Sequence, residues 1–389
     1  MSQSEQPAPM QRMKALVDQV RALGLYPDIP VVANAATESI VKVAGGEYLL
    51  FSSNNVLGSG GSRMLSANLD VHVELERRVA EFLGREDCIC FATGYMANIG
   101  VIPALMKVYF AKMRTNWQTT GRWDLFSEEL NHASGVDGIR LSQSDVHIYP
   151  HKDMAALGEA MATSRNASKL IMSDGVFSMD GDIAPVGEIV AHAKAHGTMV
   201  MIDDAHGIGV LGAHGRGSVE HLGVSSDDVQ ILMGTFTKAF GGIGGFIAGR
   251  KELVDFLRIS ARTYIFSAPL PPGIAAGLVK AVEIAGREPQ RREKALENAG
   301  YFRGAVEALG YDTLGSEAHI VPVLIGREDH AGQATRRLRK RGIIAPNARF
   351  PAVAVGRARL RFVMTSEHSR EQIDYLLKCL GELRDELKL

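Results

Sequence analysis

The chain has 389 residues, with 43 Lys and Arg against 44 Asp and Glu, a net charge of −1 that excludes an overall pull toward nucleic acid or anionic membrane. At 46% hydrophobic and 22% charged residues it has apolar surface for more than one core, so two domains sharing a cleft are expected. The three cysteines (Cys88, Cys90, Cys379) are too few and too odd in number for a disulfide framework, and no run of 18 apolar residues or apolar N-terminal leader occurs, which together suit a reducing cytoplasm without a spanning helix.

In chain order, residues 10 to about 24 read as a helical N-terminal arm. The stretch "VVANAATESIVKVAGGEYLLFSS" alternates as a small antiparallel unit would. From residue 72 onward helix-period and strand-period segments take turns: "VHVELERRVAEFLG" is helix, "DCICFAT" strand and "GYMANIGVIPALM" helix. Cys88 and Cys90 share one face of that strand and read as core, with no metal site expected. Further on, "KLIMSD", "TMVMIDD" and "VQILMG" are strands, with "VGEIVAHAKAHG" a helix among them. Short apolar strands between amphipathic helices predict an α/β fold with a mostly parallel sheet covered on both faces. A long helical region follows "PLPPGIAAGLVKAVEIAG", and the stretch "REPQRREK" (287–294) mixes signs as a solvated helix start does. The chain then enters a smaller C-terminal α+β domain with "IVPVLIG" and "ARLRFVM" as strands and "SREQIDYLLKCLGELRDEL" as a final amphipathic helix. The expected divisions are 1–48 for the arm and small antiparallel unit, 49–285 for the large domain and 286–389 for the small one.

Ligands of such sheets bind beyond the carboxyl ends of the strands, and four polar clusters fall there. "ATGYMAN" puts Gly94 and Tyr95 at a helix start, where free N–H groups suit a phosphate. "MSDGVFSMDGD" supplies Asp174 and Ser178. "MIDDAHGIG" supplies Asp203, Asp204 and His206. "MGTFTKAFGGIGGFIAG" supplies Thr235, Thr237 and Lys238. A lysine amine in a desolvated turn can form a Schiff base, and a buried carboxylate can keep a ring nitrogen protonated. Amine, acid and phosphate cup in successive strand ends describe pyridoxal phosphate.

With "FSSNNVLG", "GSGGSRMLS", "ATGYMANIGVI", "SEELNHASGVDGIRLS", "RTYIFSAPLPP" and "ARLRFVMTSEHS", these motifs run in order from residue 50 to 370. The chain resembles the α-oxoamine synthases, fold-type I pyridoxal-phosphate enzymes that condense a small amino acid (serine, glycine or alanine) with an acyl thioester and release carbon dioxide. The resemblance implies Lys238 as the Schiff-base lysine, Asp203 as partner of the pyridine nitrogen, His206 near the ring hydroxyl and His132 stacked on the ring. It implies Gly94, Tyr95 and Thr235 at the phosphate, with Asp174 and Ser178 bordering the ring. Asn54 and Arg361 would hold the substrate carboxylate, a task suited to a planar guanidinium. Ser267 is the remaining hydroxyl that could reach a neighbour's cofactor phosphate in a homodimer. "TGYMANIGVI", "TYIFSAPLPP" and Arg349 in "NARFPA" lean toward the serine palmitoyltransferase type, with amino-oxononanoate-type and aminobutyrate-type specificity open. The acyl carrier, CoA or carrier protein, is open as well.

Two departures stand out. "NNVLGSGGSRM" fuses two motifs that family members separate by a helix and loop, which bears on the placement of Asn54. "KVYFAKMRTNWQTTGRWDLF" (107–126) is longer than the family's link. A fold-type I aminotransferase or decarboxylase and a non-catalytic partner subunit are the competing readings. "NHAS" with the "SDGVFSMDGD" loop argues against the former, and Lys238, Asp203 and His132 together argue against the latter.

Overall fold

A computed structural model describes residues 9–24, 26–27, 31, 40–49, 61–106 and 122–388. Asn54, most of the fused 54–63 segment and residues 107–121 lie outside the described residues. The elements run α1 (Pro9–Ala22), β1 (Ile40–Val43), β2 (Gly46–Leu49), α2 (Asp70–Leu83), β3 (Asp87–Phe91), α3 (Gly94–Met106), β4 (Trp123–Glu128), α4 (Ala133–Ser142), β5 (Asp145–Tyr149), α5 (Met154–Thr163), β6 (Ser168–Asp174), α6 (Val186–Ala195), β7 (Met199–Asp203), α7 (Ser218–His221), β8 (Ile231–Thr235), β9 (Gly245–Gly249), α8 (Lys251–Ser260), α9 (Arg262–Ile265) and α10 (Pro272–Arg287). They continue with α11 (Pro289–Ala308), β10 (Ile320–Gly326), α12 (Glu328–Lys340), β11 (Asn347–Ala348), β12 (Ala358–Val363) and α13 (Arg370–Leu387).

The chain divides into two compact units. The first comprises the residues up to Asp174 with Pro185–Ala205 and Val219–Arg287; the second is Gly175–Ala184, His206–Ser218 and Glu288–Leu389. The first holds a seven-stranded sheet in the order β3-β9-β8-β7-β6-β4-β5. Neighbours from β8 to β5 are parallel, whereas β9 runs antiparallel to both β8 and β3. Every residue of β7, β8 and β9 is buried, as strands covered on both faces require. On β5, at the sheet edge, Val146 and Ile148 are exposed.

The long link assigned to 107–126 gives up its last four residues to β4, a fully buried strand that pairs with β5 and β6. "WDLF" follows a polar stretch and was hidden by it. Helix α3 carries almost no polar residue and is buried on nearly all sides. Helix α2 buries the stripe Leu75, Val79 and Leu83 and ends at Gly84, whose φ of 65° closes the helix in the left-handed region.

One buried ion pair ties these pieces together. Arg63 donates from Nε to Asn68 Oδ1 at 2.8 Å and forms a two-pronged pair with Glu76 on α2. Glu76 also accepts from the Cys90 N–H of β3 at 2.8 Å. Burial opposes the Glu76 charge, but Arg63 and Arg258 outweigh it and hold the carboxyl below its usual range. The stretch from residue 61 into α2 is thereby fixed against the sheet.

The second unit holds a three-stranded antiparallel sheet, β10-β12-β11, packed with α11, α12 and α13 around Phe302, Leu360 and Leu380. Its 175–184 hairpin is locked at Gly181, with φ of 72°, where a Cβ would lie 2.1 Å from the Ile320 carbonyl oxygen. Only glycine fits that turn.

Replacing Arg63 with Ala leaves Glu76 buried without its main partner. We expect a loss of about 3–5 kcal/mol in unfolding free energy, measured by urea denaturation.

Candidate active site

Gly94, Tyr95, Asp174, Asp203 and the turn that carries Thr235, Thr237 and Lys238 lie at one end of the first unit's sheet. Thr93 caps α3: its Oγ1 accepts from the Met96 N–H at 3.0 Å and its carbonyl from the Ala97 N–H at 3.2 Å. The N–H groups of Gly94 and Tyr95 therefore stand outside the helical ladder, at the positive end of the helix dipole. Gly245, at the start of β9, presses on this turn; a Cβ there would lie 2.4 Å from the Gly94 Cα. A Cβ on Gly94 would approach Thr235 Oγ1 to 3.2 Å. The glycines at 94 and 245 thus let a helix start, a strand end and a strand start meet in one cradle. The Tyr95 ring is exposed and its hydroxyl bonds to Asp137 on α4.

Thr235 is buried, and its hydroxyl is spent within the turn. It donates to the Gly244 carbonyl at 2.8 Å and accepts from the Thr237 N–H at 3.3 Å, with the Thr237 hydroxyl 2.9 Å away. Lys238 lies three residues after β8. Gly241 (φ 63°) and Gly244 (φ 118°) then turn the chain back, and the Gly242 N–H donates to the Phe236 carbonyl at 2.9 Å. The Lys238 side chain is exposed, so the partial desolvation expected from the sequence is not supplied by the packing of this unit.

Asp203 ends β7 and is buried. Its Oδ2 accepts from Asn98 Nδ2 at 2.7 Å and its Oδ1 from the Ala205 N–H at 3.2 Å. Burial raises its pKa, and the Asn98 bond, the Ala205 N–H and the Lys238 charge oppose that rise only in part. Asp174 ends β6 in register with Asp203 and is equally buried. It accepts only the His132 N–H, at 3.3 Å. Burial and then the Asp203 charge push it well above the usual carboxylate range. Of these two adjacent buried acids Asp203 is the better supplied with hydrogen-bond donors.

His132 is the N-cap of α4, accepting at Nδ1 from the Ser134 N–H at 3.2 Å, with its ring exposed above the strand ends. Asn131 locks the preceding residue, donating to Ser127 Oγ and the Met172 carbonyl and accepting from the Asp174 N–H at 2.8 Å. Asn98, Asn131 and Ser134 were not singled out from the sequence. Asn98 carried a signal: it is the one amide in an otherwise apolar helix.

His206, Ser178, Arg349 and Arg361 belong to the second unit. There Arg361 Nε donates to the Ser178 carbonyl at 2.6 Å, and burial lowers the guanidinium pKa from its ordinary value. Its terminal nitrogens have no hydrogen bond among the described residues. The neighbouring Arg359 bonds to Asp180, so two arginines of β12 grip the same hairpin. Arg349 is exposed just after β11. Ser267, in the first unit, donates to the Ala268 carbonyl at 3.2 Å. His151 and His368 orient loops, through Glu128 Oε1 at 2.6 Å and the Thr365 N–H at 3.1 Å. No group that could hold a metal ion occurs among the described residues.

The family profile described as "Aminotransferase class I and II" matches residues 25–380. The chain is 42% identical to an "8-amino-7-oxononanoate synthase" of Methylococcus capsulatus over 84% of this chain and 81% of the relative. It is 38% identical to that of Geobacter sulfurreducens over 95% of this chain and 97% of the relative. A solved serine palmitoyltransferase of S. paucimobilis, titled as carrying PLP, superposes with a TM-score of 0.79 at 27% identity, covering 96% of this chain and 97% of the other.

Because folding raises the Asp174 pKa, the unfolded chain releases that proton first as pH rises above about 3.9. Stability attributable to Asp174 is present below that value and falls with increasing pH until its raised folded value is passed, by about 1.4 kcal/mol per pH unit. Asp174→Asn keeps an acceptor for the His132 N–H and removes the titration. Urea unfolding between pH 5 and 8 should show the variant gaining on the wild type as pH rises.

Proposed function

The chain belongs to the aminotransferase class I and II family, and from that premise we propose that it is a pyridoxal-phosphate-dependent C-acyltransferase of the α-oxoamine synthase type. The observation that carries this reading is the buried Asp203 at the end of β7, on which the Lys238 charge acts, beside the cradle at Gly94. Pyridoxal phosphate, when bound, supplies an electron sink for a carbanion at the amino-acid α-carbon.

The residues fit that group. Asp203 offers a buried carboxyl for a protonated ring nitrogen. The Gly94 and Tyr95 N–H groups would hold the phosphate; Thr235, whose hydroxyl donates to Gly244 and accepts from that of Thr237, shapes this cradle. The exposed His132 ring would stack on the cofactor, with Asp174 seating His132 through its backbone. His206 and Ser178 keep the ring-bordering roles that the resemblance implies. Lys238 would hold the group through Nζ, and the same Nζ, when free as an amine, would take a proton from the amino-acid α-carbon and return one to it.

Arg361 would take the substrate carboxylate in a bidentate grip, because its Nε is already anchored on Ser178 and its terminal nitrogens remain to donate. Arg349 is a second candidate for that carboxylate, and Asn54 a third. The other substrate is an acyl thioester, on CoA or a carrier protein. The product named in the 38–42% identical relatives carries its amino group at carbon 8 of nine, next to the 7-oxo group. A terminal CH3–CH(NH2) unit is what alanine leaves after losing its carboxyl, so we take alanine as the amino acid ahead of serine and glycine.

A homodimer is part of this reading. Ile243, Phe266 and Ile274 are exposed apolar side chains around the segment that contains Ser267, a face that a second copy would cover. A cytoplasmic location fits the three unbridged, buried cysteines. No helix among the described residues is long and apolar enough to cross a membrane.

The experiment loads the purified chain with pyridoxal phosphate and offers alanine, serine and glycine with acyl-CoAs of varied length. Release of carbon dioxide with an α-oxoamine product, fastest with alanine, is expected. Accumulation of a keto acid in place of that product would turn the assignment to an aminotransferase. Lys238→Ala should lose the visible absorbance of the loaded protein and at least about 10³-fold in turnover. Arg361→Lys should raise the KM for the amino acid about tenfold, through loss of the two-pronged grip.

A further inference from the structure

Asn98 lies on α3, four residues into the apolar helix that opens with Gly94, and is completely buried. Its Nδ2 is 2.7 Å from Asp203 Oδ2 and 2.9 Å from Ser134 Oγ. Ser134 Oγ is in turn 2.7 Å from His132 Nδ1. We propose that Asn98 is a positioning residue whose amide donates both its hydrogens, one to Asp203 and one to Ser134, and so links the buried acid to the His132 ring. This deepens the pyridoxal-phosphate reading and rests on it for the purpose of the linkage.

The direction of each bond follows from the donors available. The Asn98 nitrogen faces Asp203 Oδ2 at 2.7 Å and donates to it; the reversed amide would set oxygen against oxygen. The second hydrogen of that nitrogen then goes to Ser134 Oγ. His132 Nδ1 already accepts from the Ser134 N–H at 3.2 Å and so carries no proton. The Ser134 hydroxyl therefore donates to Nδ1 as well. His132 is left as the tautomer with its proton on Nε2, turned away from the protein and available as a donor. Acid, amide, hydroxyl and imidazole form one directed chain, in which the acceptor oxygen of Asp203 fixes which nitrogen of His132 donates.

Packing alone does not account for an amide at this place. Asn98 Oδ1 is buried without a hydrogen-bond partner among the described residues, a cost that an apolar side chain of similar size would avoid. The approach of α4 to α3 is set elsewhere, at Gly138, where a Cβ would lie 2.8 Å from the Asn98 backbone oxygen. That approach brings Ser134 within reach of the amide.

Two measurements test the proposal. The first labels the histidines with ¹⁵N in the cofactor-free chain and assigns His132 by comparison with His132→Gln. Protonated Nε2 and unprotonated Nδ1 are expected; a proton on Nδ1 overturns the directed chain. This outcome does not depend on cofactor binding, so it stands even if the wild type takes up no pyridoxal phosphate, a result that would sink the proposed function instead. The second is a double-mutant cycle on the dissociation constant of pyridoxal phosphate with Asn98→Ala, Ser134→Ala and the pair. Each single change should weaken binding about 10- to 100-fold, and the pair should be no weaker than the worse single variant. Effects that multiply, or singles at wild-type affinity, overturn it. Should Asn98→Ala not fold, the isosteric Asn98→Asp serves. Its carboxylate cannot donate to Asp203, among Asp174, His132 and Lys238, and affinity at pH 8 should fall at least about tenfold; wild-type affinity in that variant overturns the proposal.

Discussion

A carboxylate buried at the end of a strand must be solvated by the protein or give up its charge. That constraint at Asp203 organises this end of the sheet. The acid draws an amide hydrogen from α3, a backbone N–H from its own turn and the field of Lys238. These come from different elements, so Asp203 is solvated only when α3, its own turn and the turn after β8 are all in place. Asp174, one strand away and equally buried, receives the His132 N–H, and burial with the Asp203 charge pushes its pKa well up. Two identical side chains in register thus differ in how the protein solvates them.

The glycines near the site carry out a matching geometric task. A phosphate-sized group at a helix start needs backbone N–H groups that nothing else occupies. Thr93 closes the rest of the first turn, which leaves Gly94 and Tyr95 open. Gly245 lets β9 begin against that turn, because any side chain there would strike the Gly94 Cα. The glycine-rich run after Lys238 is therefore explained by what it approaches as much as by how sharply it bends. The two positive φ values at Gly241 and Gly244 turn the chain, and the missing Cβ at Gly245 lets the strand into the cradle.

Much of this was legible in the sequence because its signals were local. Helices α2, α3 and α13 and strands β3, β7 and β9 follow their apolar periods closely, and the strand-end position of Asp203 follows from five buried residues ending in an acid. Strand β4 was not legible: it abuts a polar stretch that absorbed it. Its fully buried pattern is settled by neighbours β5 and β6, which are distant in sequence. The antiparallel course of β9 was equally invisible, since a run of five buried residues reads the same in either direction. At the site, residues that act through their own chemistry were found by type. Asn98, Ser134 and Asn131 act by joining others, and their partners lie up to 105 positions away. No one-dimensional spacing reveals a bridge whose two ends belong to different elements.

Lys238 separates two properties that sequence reasoning had joined. Its position is set by the fold: β8 delivers it to the strand ends, and the Gly241–Gly244 turn holds the backbone behind it. Its reactivity as an amine calls for removal from water, and the side chain is exposed in the first unit as it stands. The Lys238 charge acts on Asp203. The fold of this unit thus supplies aim and a neighbouring acid, while exclusion of water must come from a group that covers the strand ends. A cofactor bonded to Nζ, as proposed above, would itself be that cover.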